Sequence, residues 1–405
     1  MKIITLLLAF FTSGFLAAQQ KDYALINANL FNGVENKIYP NSIVFVKGGK
    51  IEKIGKQGDP VAGNYTVLDC EGNFLMPGMI DAHTHIDNLA SAQRALKSGI
   101  TTVRSASVSA YQDVALRELV KSGRLAGPDV VATGVYVTPK LGETVLADVR
   151  LGDLIGGVNT DEELKKLVNI NIDRGSNFIK TRGTERAGLP DTDPREQTYT
   201  EHQLKIVIDE AAKRGVPVMI HAHGDEGAYA SVAAGARSIE HGTFLSDRTL
   251  NLMKEKGTYL VPTYITLIDL TKPGGDYDNP VLEMRGNFML PQAEKVFKKA
   301  HSLGIKIATG ADNDYSSQTT SSIAQEAFHF VRMGMTNYEA LQSATTIAAE
   351  LLRLDKHTGR IATGFEADLI LVPSNPLEDI VALQDVLMVL SNGQLALKRL
   401  PFGKN

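Results

Sequence analysis

Several short stretches of this sequence carry side chains that could hold metal ions and supply a nucleophile. The first is MPGMIDAHTHID, where His83 and His85 follow the apolar pair Met79-Ile80. Residues two apart on a strand point to the same side, so His-Thr-His offers two imidazoles to one ion. By itself a His-x-His pair is more often a surface feature; its weight here comes from standing at the end of an apolar strand. VPVMIHAHG and RSIEHGTF place His221 and His241 at two further strand ends, with His223 beside the former. His221 directly follows the apolar run and is favoured as the ligand, whereas His223 reads as an outer contact or a substrate contact. In SNFIKTRG, Lys180 follows a Phe-Ile strand that should be buried. A strand-end lysine can simply extend to solvent. Near cations, however, burial and charge favour the neutral amine, which can add carbon dioxide to give an anionic carbamate able to bridge two ions. Asp312 ends IKIATGAD. A carboxylate there can bind a metal and accept a proton from coordinated water, whose pKa can fall to roughly 7; elsewhere such an Asp is usually a helix cap. His202, His301 and His329 fall in helical stretches and His357 precedes the tail, so all four read as solvated or core-edge residues.

These residues need a scaffold that brings strand ends together. From Met79 onward, apolar strands alternate with helical stretches, each closed by a glycine: SAQRALKSG before ITTVRSA, TEHQLKIVIDEAAKRG before VPVMIHAHG, and AEKVFKKAHSLG before IKIATGAD. Thr200 and Gln203 form a capping-box pattern, and Gly215 stands where that helix should stop. Repeated strand, helix, glycine, strand is the grammar of parallel βαβ units, and about 275 residues of it suits one (β/α)8 TIM barrel. Barrel active sites lie at the C-terminal strand ends, where these residues fall. Before Met79, the runs 23–29, 42–46, 50–54 and 65–68 alternate between turn signals and predict a small β module. Runs 367–372, 386–390 and 394–397, the last after Asn392-Gly393, predict strands that complete it. The expected division is residues 19–77 plus 356–405 for a composite β-sandwich and 78–355 for the barrel.

Composition narrows the partners. The 405 residues are 43% hydrophobic and 22% charged, an ordinary globular mixture. Net charge is −4 from 42 basic and 46 acidic residues with no Lys/Arg stripe, which argues against nucleic acid. The start, MKIITLLLAFFTSGFLAAQQ, has Lys2, an apolar run, and Ala17-Ala18 before Gln19. It reads as a secretory signal peptide over residues 1–18, too short and interrupted for a membrane span. The mature chain is expected to be secreted or periplasmic and free of the membrane. Cys70, the single cysteine, cannot close an intrachain disulfide and reads as a strand residue.

With these stretches in this order, the chain resembles the amidohydrolase superfamily. The resemblance rests on LMPGMIDAHTH, the HAHG and SIEHGT pair, and the tail ALQSATTIAAELLRLDKHTGRIATGFEADLILVPSNPLEDI. Within it the chain is most similar to the imidazolonepropionase-like group and the prolidase-type dipeptidases with a carboxylated lysine. The resemblance implies two divalent ions, most commonly zinc. His83, His85 and Asp312 would hold one and His221 and His241 the other, with carboxylated Lys180 and a hydroxide bridging them. Asp312 would then pass the proton to the leaving amine. It further implies hydrolysis of an amide bond in a small molecule, a dipeptide or N-acyl amino acid; a lactonase or esterase would use the same centre, and a non-catalytic scaffold is the remaining alternative. Deaminase branches carry a Glu where this chain has Gly224, which argues against deamination. Dipeptidase relatives often carry a Gly-Gly-His-Gly type segment after the third strand, where this chain reads GVYVTPKLGET. Tyr136, Arg182, Tyr229 and His223 are the candidate substrate contacts in its place. Assembly as a homo-oligomer stays open.

Overall fold

The computed structural model describes residues 21–274 and 277–399, so the leader expected at 1–18 lies outside the described residues. The chain begins with five strands: β1 (Tyr23–Phe31), β2 (Ile38–Lys47), β3 (Lys50–Lys56), β4 (Thr66–Asp69) and β5 (Phe74–Pro77). Seven more follow: β6 (Met79–Thr84), β7 (Ile100–Ser105), β8 (Asp129–Val131), β9 (Ile179–Arg182), β10 (Val218–Ala222), β11 (Ser238–His241) and β12 (Tyr259–Val261). The chain ends with β13 (Leu369–Val372), β14 (Met388–Ser391) and β15 (Gln394–Lys398).

Strands from both ends build one sheet in the order β15-β14-β13-β5-β1-β2-β3, with β4 also on β1. In hydrogen-bonding terms the expected sandwich is thus one eight-stranded sheet rather than two separate ones. β1 makes this possible by splitting one edge: Tyr23 to Ile26 pair with β4, and Asn29 and Leu30 with β5. Leu25, Leu30, Val44, Ile51, Leu75, Leu369, Leu371 and Leu390 pack in a cluster belonging to this sheet. Cys70 lies one residue past β4, buried in that cluster, and burial pushes its thiol up to about 12.

The middle strands are all parallel, in a three-stranded sheet β6-β7-β8 and a four-stranded sheet β12-β11-β10-β9. They alternate with helices, which makes the fold α/β. Thr200 forms the expected capping box with Gln203 at the start of the helix Glu201–Ala212, and Gly215 takes φ 70° just beyond its end. A helix that begins and ends on such local signals is set by its own sequence. Val137 N–H donates to the Lys180 carbonyl at 2.9 Å and so links the segment after β8 to β9. The segment leading to Asp312 is not a full strand. It bonds β12 through Leu260 N to Lys306 O and Ala308 N to Leu260 O, both at 3.0 Å, and it accepts Ala82 N on Thr309 O at 3.0 Å. Asp312 N then donates to His83 O at 2.7 Å, laying the aspartate beside β6. Ile80, Ala82, Val131, Phe178, Met219, Tyr259, Val261 and Ala308 supply a shared apolar cluster beneath these strand ends. Among the described residues, no helix is long and apolar enough to cross a membrane.

Candidate metal centre

A cavity of about 520 Å³ opens over the strand ends, lined by His83, His85, Lys180, His221, His223, His241 and Asp312 together. Residues separated by more than two hundred positions therefore meet, because parallel strands all end at one face. His83 Nε2 lies 3.2 Å from Asp312 Oδ1, and His85 Nε2 lies 3.1 Å from the same oxygen. Lys180 Nζ is 3.4 Å from His83 Nε2. The His221, His223 and His241 ligand atoms lie within 4.8 Å of one another, as do those of His83, His241 and Asp312.

The backbone bends to achieve this. His241 takes φ 74°, Asp312 φ 49° and Thr263 φ 46°. Non-glycine residues in this region cost on the order of 1–3 kcal/mol each, and such strain concentrates at functional sites. Strand alternation alone would send His241 away from its neighbour Glu240; the left-handed turn at its own backbone returns its ring to the cluster.

Each imidazole is anchored on one nitrogen. His85 Nδ1–H donates to the Ser107 carbonyl at 2.9 Å, and His221 Nε2–H donates to the Glu185 carbonyl at 3.0 Å. His83 Nδ1 bonds Glu240 at 2.7 Å, His223 Nδ1 bonds Thr243 Oγ1 at 2.8 Å, and His241 Nδ1 bonds Thr263 Oγ1 at 2.7 Å. Burial holds His221 and His241 well below the ordinary histidine range and His223 down to about 3, so these rings are neutral. Burial pulls Asp312 the other way, but the surrounding histidines outweigh it and keep the carboxyl well below its usual range. The consequence is a test of fit. His83 Nε2 and His85 Nε2 both lie at hydrogen-bond distance from one Asp312 oxygen, and a carboxyl held low there needs positive charge beside it, which a cation among the three would supply. Imidazole nitrogens with a carboxylate are also a donor set suited to zinc. Lys180 is buried, and burial brings its amine down to about 8, within reach of the neutral form.

Of the candidate substrate contacts, Tyr136, Arg182 and His223 line the cavity. The Tyr136 hydroxyl and Arg182 Nε are buried there without a hydrogen-bond partner, while the other end of Arg182 pairs with Glu185 at 3.1 Å. Tyr229 does not belong with them. It sits in the helix Asp225–Ala234, and its ring lies 3.5 Å below the Arg248 guanidinium of the following helix. The helix after β10 packs outside the strands, so its fifth residue faces a neighbouring helix rather than the strand ends. The histidines set aside in the sequence also stay away from the cavity: His202 pairs with Asp161, His301 with Glu339, and His329 packs against Tyr264.

Several residues that serve the site had no motif to announce them. Glu240 and Arg104 are fully buried beneath His83. Asp81 accepts from the backbone N–H groups of His83 and Ala311 and from the Tyr315 hydroxyl, tying both ligand-bearing segments together. The available signal was a charged residue at an inward position of an apolar strand, as in ITTVRS and SIEH.

The chain is 26% identical over 350 residues to the ochratoxinase of Aspergillus niger, covering 77% of this chain and 72% of that protein. It is 24% identical over 373 residues to the imidazolonepropionase of Thermoanaerobacter pseudethanolicus, covering 82% of this chain and 84% of that protein. Among solved structures, an Xaa-Pro dipeptidase with methionine bound in its active site superposes with a TM-score of 0.82 at 28% identity, over 93% of this chain and 99% of that one. The profile of the amidohydrolase family matches residues 74–396, and the chain belongs to that family.

Proposed function

We propose that this chain hydrolyses an amide bond in a dipeptide or N-acyl amino acid at a centre of two divalent ions, zinc by donor preference. The observation that carries the reading is Lys180, a buried amine 3.4 Å from His83 Nε2 at the floor of the cavity. A carbamate formed there from carbon dioxide, the ammonium losing one proton to become the amine and a second as the C–N bond forms, would replace a buried cation by an anion between the two histidine sets. His83, His85 and Asp312 would hold one ion and His221 and His241 the other, His221 through Nδ1 because its Nε2 is committed to Glu185. When bound, the ions would supply Lewis acidity and a water that is nucleophilic at neutral pH. Asp312 would take the proton from that water and return it to the leaving amine. Tyr136 would donate to the carbonyl oxygen as charge develops on it, and Arg182 would take a substrate carboxylate; both present unpartnered donors to the cavity. His223 would line the leaving-group side.

The supporting frame would be a (β/α)8 barrel begun by β6 with a β module built from strands of both chain ends. The bridges from Val137 to Thr181 and from Leu260 to Ile307 support closure of the strand ring. The relatives support the reaction class, being named for ochratoxin, imidazolonepropionate and Xaa-Pro dipeptide substrates. Residues 1–18 would direct export to a periplasm or the medium, which N-terminal sequencing of the mature protein would check. The activity test is a panel of dipeptides, N-acyl amino acids and lactones against zinc-loaded protein prepared with bicarbonate. Turnover of amides supports the reading, and turnover of lactones alone overturns it.

A further inference from the structure

Beneath His83 lies a fully buried ion pair that does not line the cavity. Glu240, on β11, places Oε2 2.7 Å from His83 Nδ1. Arg104, on β7, donates Nη2 to both Glu240 oxygens at 2.9 and 3.1 Å, Nη1 to Ser238 Oγ at 3.1 Å, and Nε to the Ala82 carbonyl at 2.7 Å. Ser238 Oγ completes the carboxylate's partners. Stability is a poor reason for such a pair, since well-packed apolar residues of similar volume commonly do as well or better. What apolar residues could not do is hold the His83 ring. A carboxylate pinned by an arginine can only accept, so it keeps the His83 proton on Nδ1 and turns the Nε2 lone pair toward Asp312. Hydrogen-bonded partners of this kind fix ligand orientation and raise ligand basicity.

We propose that Glu240 and Arg104 are positioning residues that set the tautomer and orientation of His83, and so the affinity of the ion position it shares with Asp312, leaving the His221 and His241 position unaffected. This rests on the two-ion reading above. The geometry also says what a minimal change would do. In Glu240→Gln the amide must offer its oxygen to Arg104, which turns its NH2 toward His83; the imidazole then accepts on Nδ1 and carries its proton on Nε2, where it blocks coordination.

The test is zinc binding by wild type, E240Q and Ser238→Ala, dialysed with bicarbonate against graded free zinc, with metal-free melting temperatures alongside. S238A removes one bond from the carboxylate and one from Arg104 Nη1 without touching His83. The expected result is two ions in wild type and S238A, and in E240Q one ion at wild-type affinity and one weakened about 10- to 100-fold, with the metal-free E240Q melting within a few degrees of wild type. Two ions at wild-type affinity in E240Q overturn the proposal, and so does equal weakening of both. If wild type itself holds a single ion, the two-ion reading fails on that result alone. E240Q then still decides the positioning role: a weakened single ion upholds it and an unchanged one overturns it.

Discussion

A lysine buried among histidines is drawn toward its neutral amine, because desolvation disfavours the ammonium. Lys180, brought down to about 8 by burial, is half neutral near pH 8 and loses about a factor of ten in the neutral form with each unit below. Reactivation of metal-free protein by zinc at constant dissolved carbon dioxide should therefore accelerate about tenfold per unit from pH 6 to 7 and level off above 8. Measuring the initial rate of regained activity checks this; a flat profile removes the carbamate step. Tyr136 makes a second prediction at this scale. Its hydroxyl is buried without a hydrogen-bond partner and, on the proposed reading, would donate to an oxygen that gains charge. Tyr136→Phe should lower kcat by about 100-fold with little change in KM, the usual cost of removing such a donor. An unchanged kcat in steady-state kinetics would assign the hydroxyl to packing instead.

Strand ends are held in register by groups that no substrate touches. The helix Tyr264–Asp269 follows the strained Thr263, and its first N–H groups, on Tyr264 and Ile265, donate to Glu326 at 3.0 Å each. Burial pushes Glu326 up to about 8, with those two donors only partly opposing it. Its folded pKa thus stands above the unfolded value of about 4.5. The folded protein binds the extra proton between these values, so the stability it contributes is full below pH 4.5 and is lost as pH rises toward 8. Glu326→Gln cannot ionise. In metal-free protein, the melting temperature of wild type should fall relative to E326Q by a few degrees between pH 5 and 8. Parallel curves for the two proteins would refute the shift.

For the whole molecule, the proposed metal centre would be a stabilising load as well as a catalyst. Ions that bind only the folded chain add about 2.7 kcal/mol per site at a hundredfold excess over Kd. Chelation should therefore lower the melting temperature by several degrees and abolish hydrolysis, and zinc with bicarbonate should restore both. Scanning calorimetry on chelated and reloaded samples decides this, since a melting point indifferent to chelation would mean the ions bind weakly or elsewhere. The two chain ends meet in one sheet, so removing β13 to β15 should leave β5 with an unpaired edge and give insoluble protein rather than a free catalytic half.

The sequence by itself determined the parts whose causes are local. Period and punctuation announced the alternation of strand and helix, the capping box at Thr200, and the placement of His83, His221 and His241 at or next to strand ends, whereas Lys180 stands second in β9. Those positions follow from where an apolar run stops, which a linear pattern records. The tertiary structure decided what depends on residues far apart. It set which nitrogen of each histidine faces the centre, through partners such as Ser107, Glu185 and Thr263. It recruited Arg104 and Glu240, whose role exists only where β7, β11 and β6 pack together. It turned Tyr229 away to Arg248, because a helix's facing is chosen by its neighbours and not by its distance along the chain from a ligand. The His83 and His85 pair shows the division: its two imidazoles were legible from their spacing, but Asp312, more than two hundred residues later, reaches them only through hydrogen bonds between adjacent strand ends.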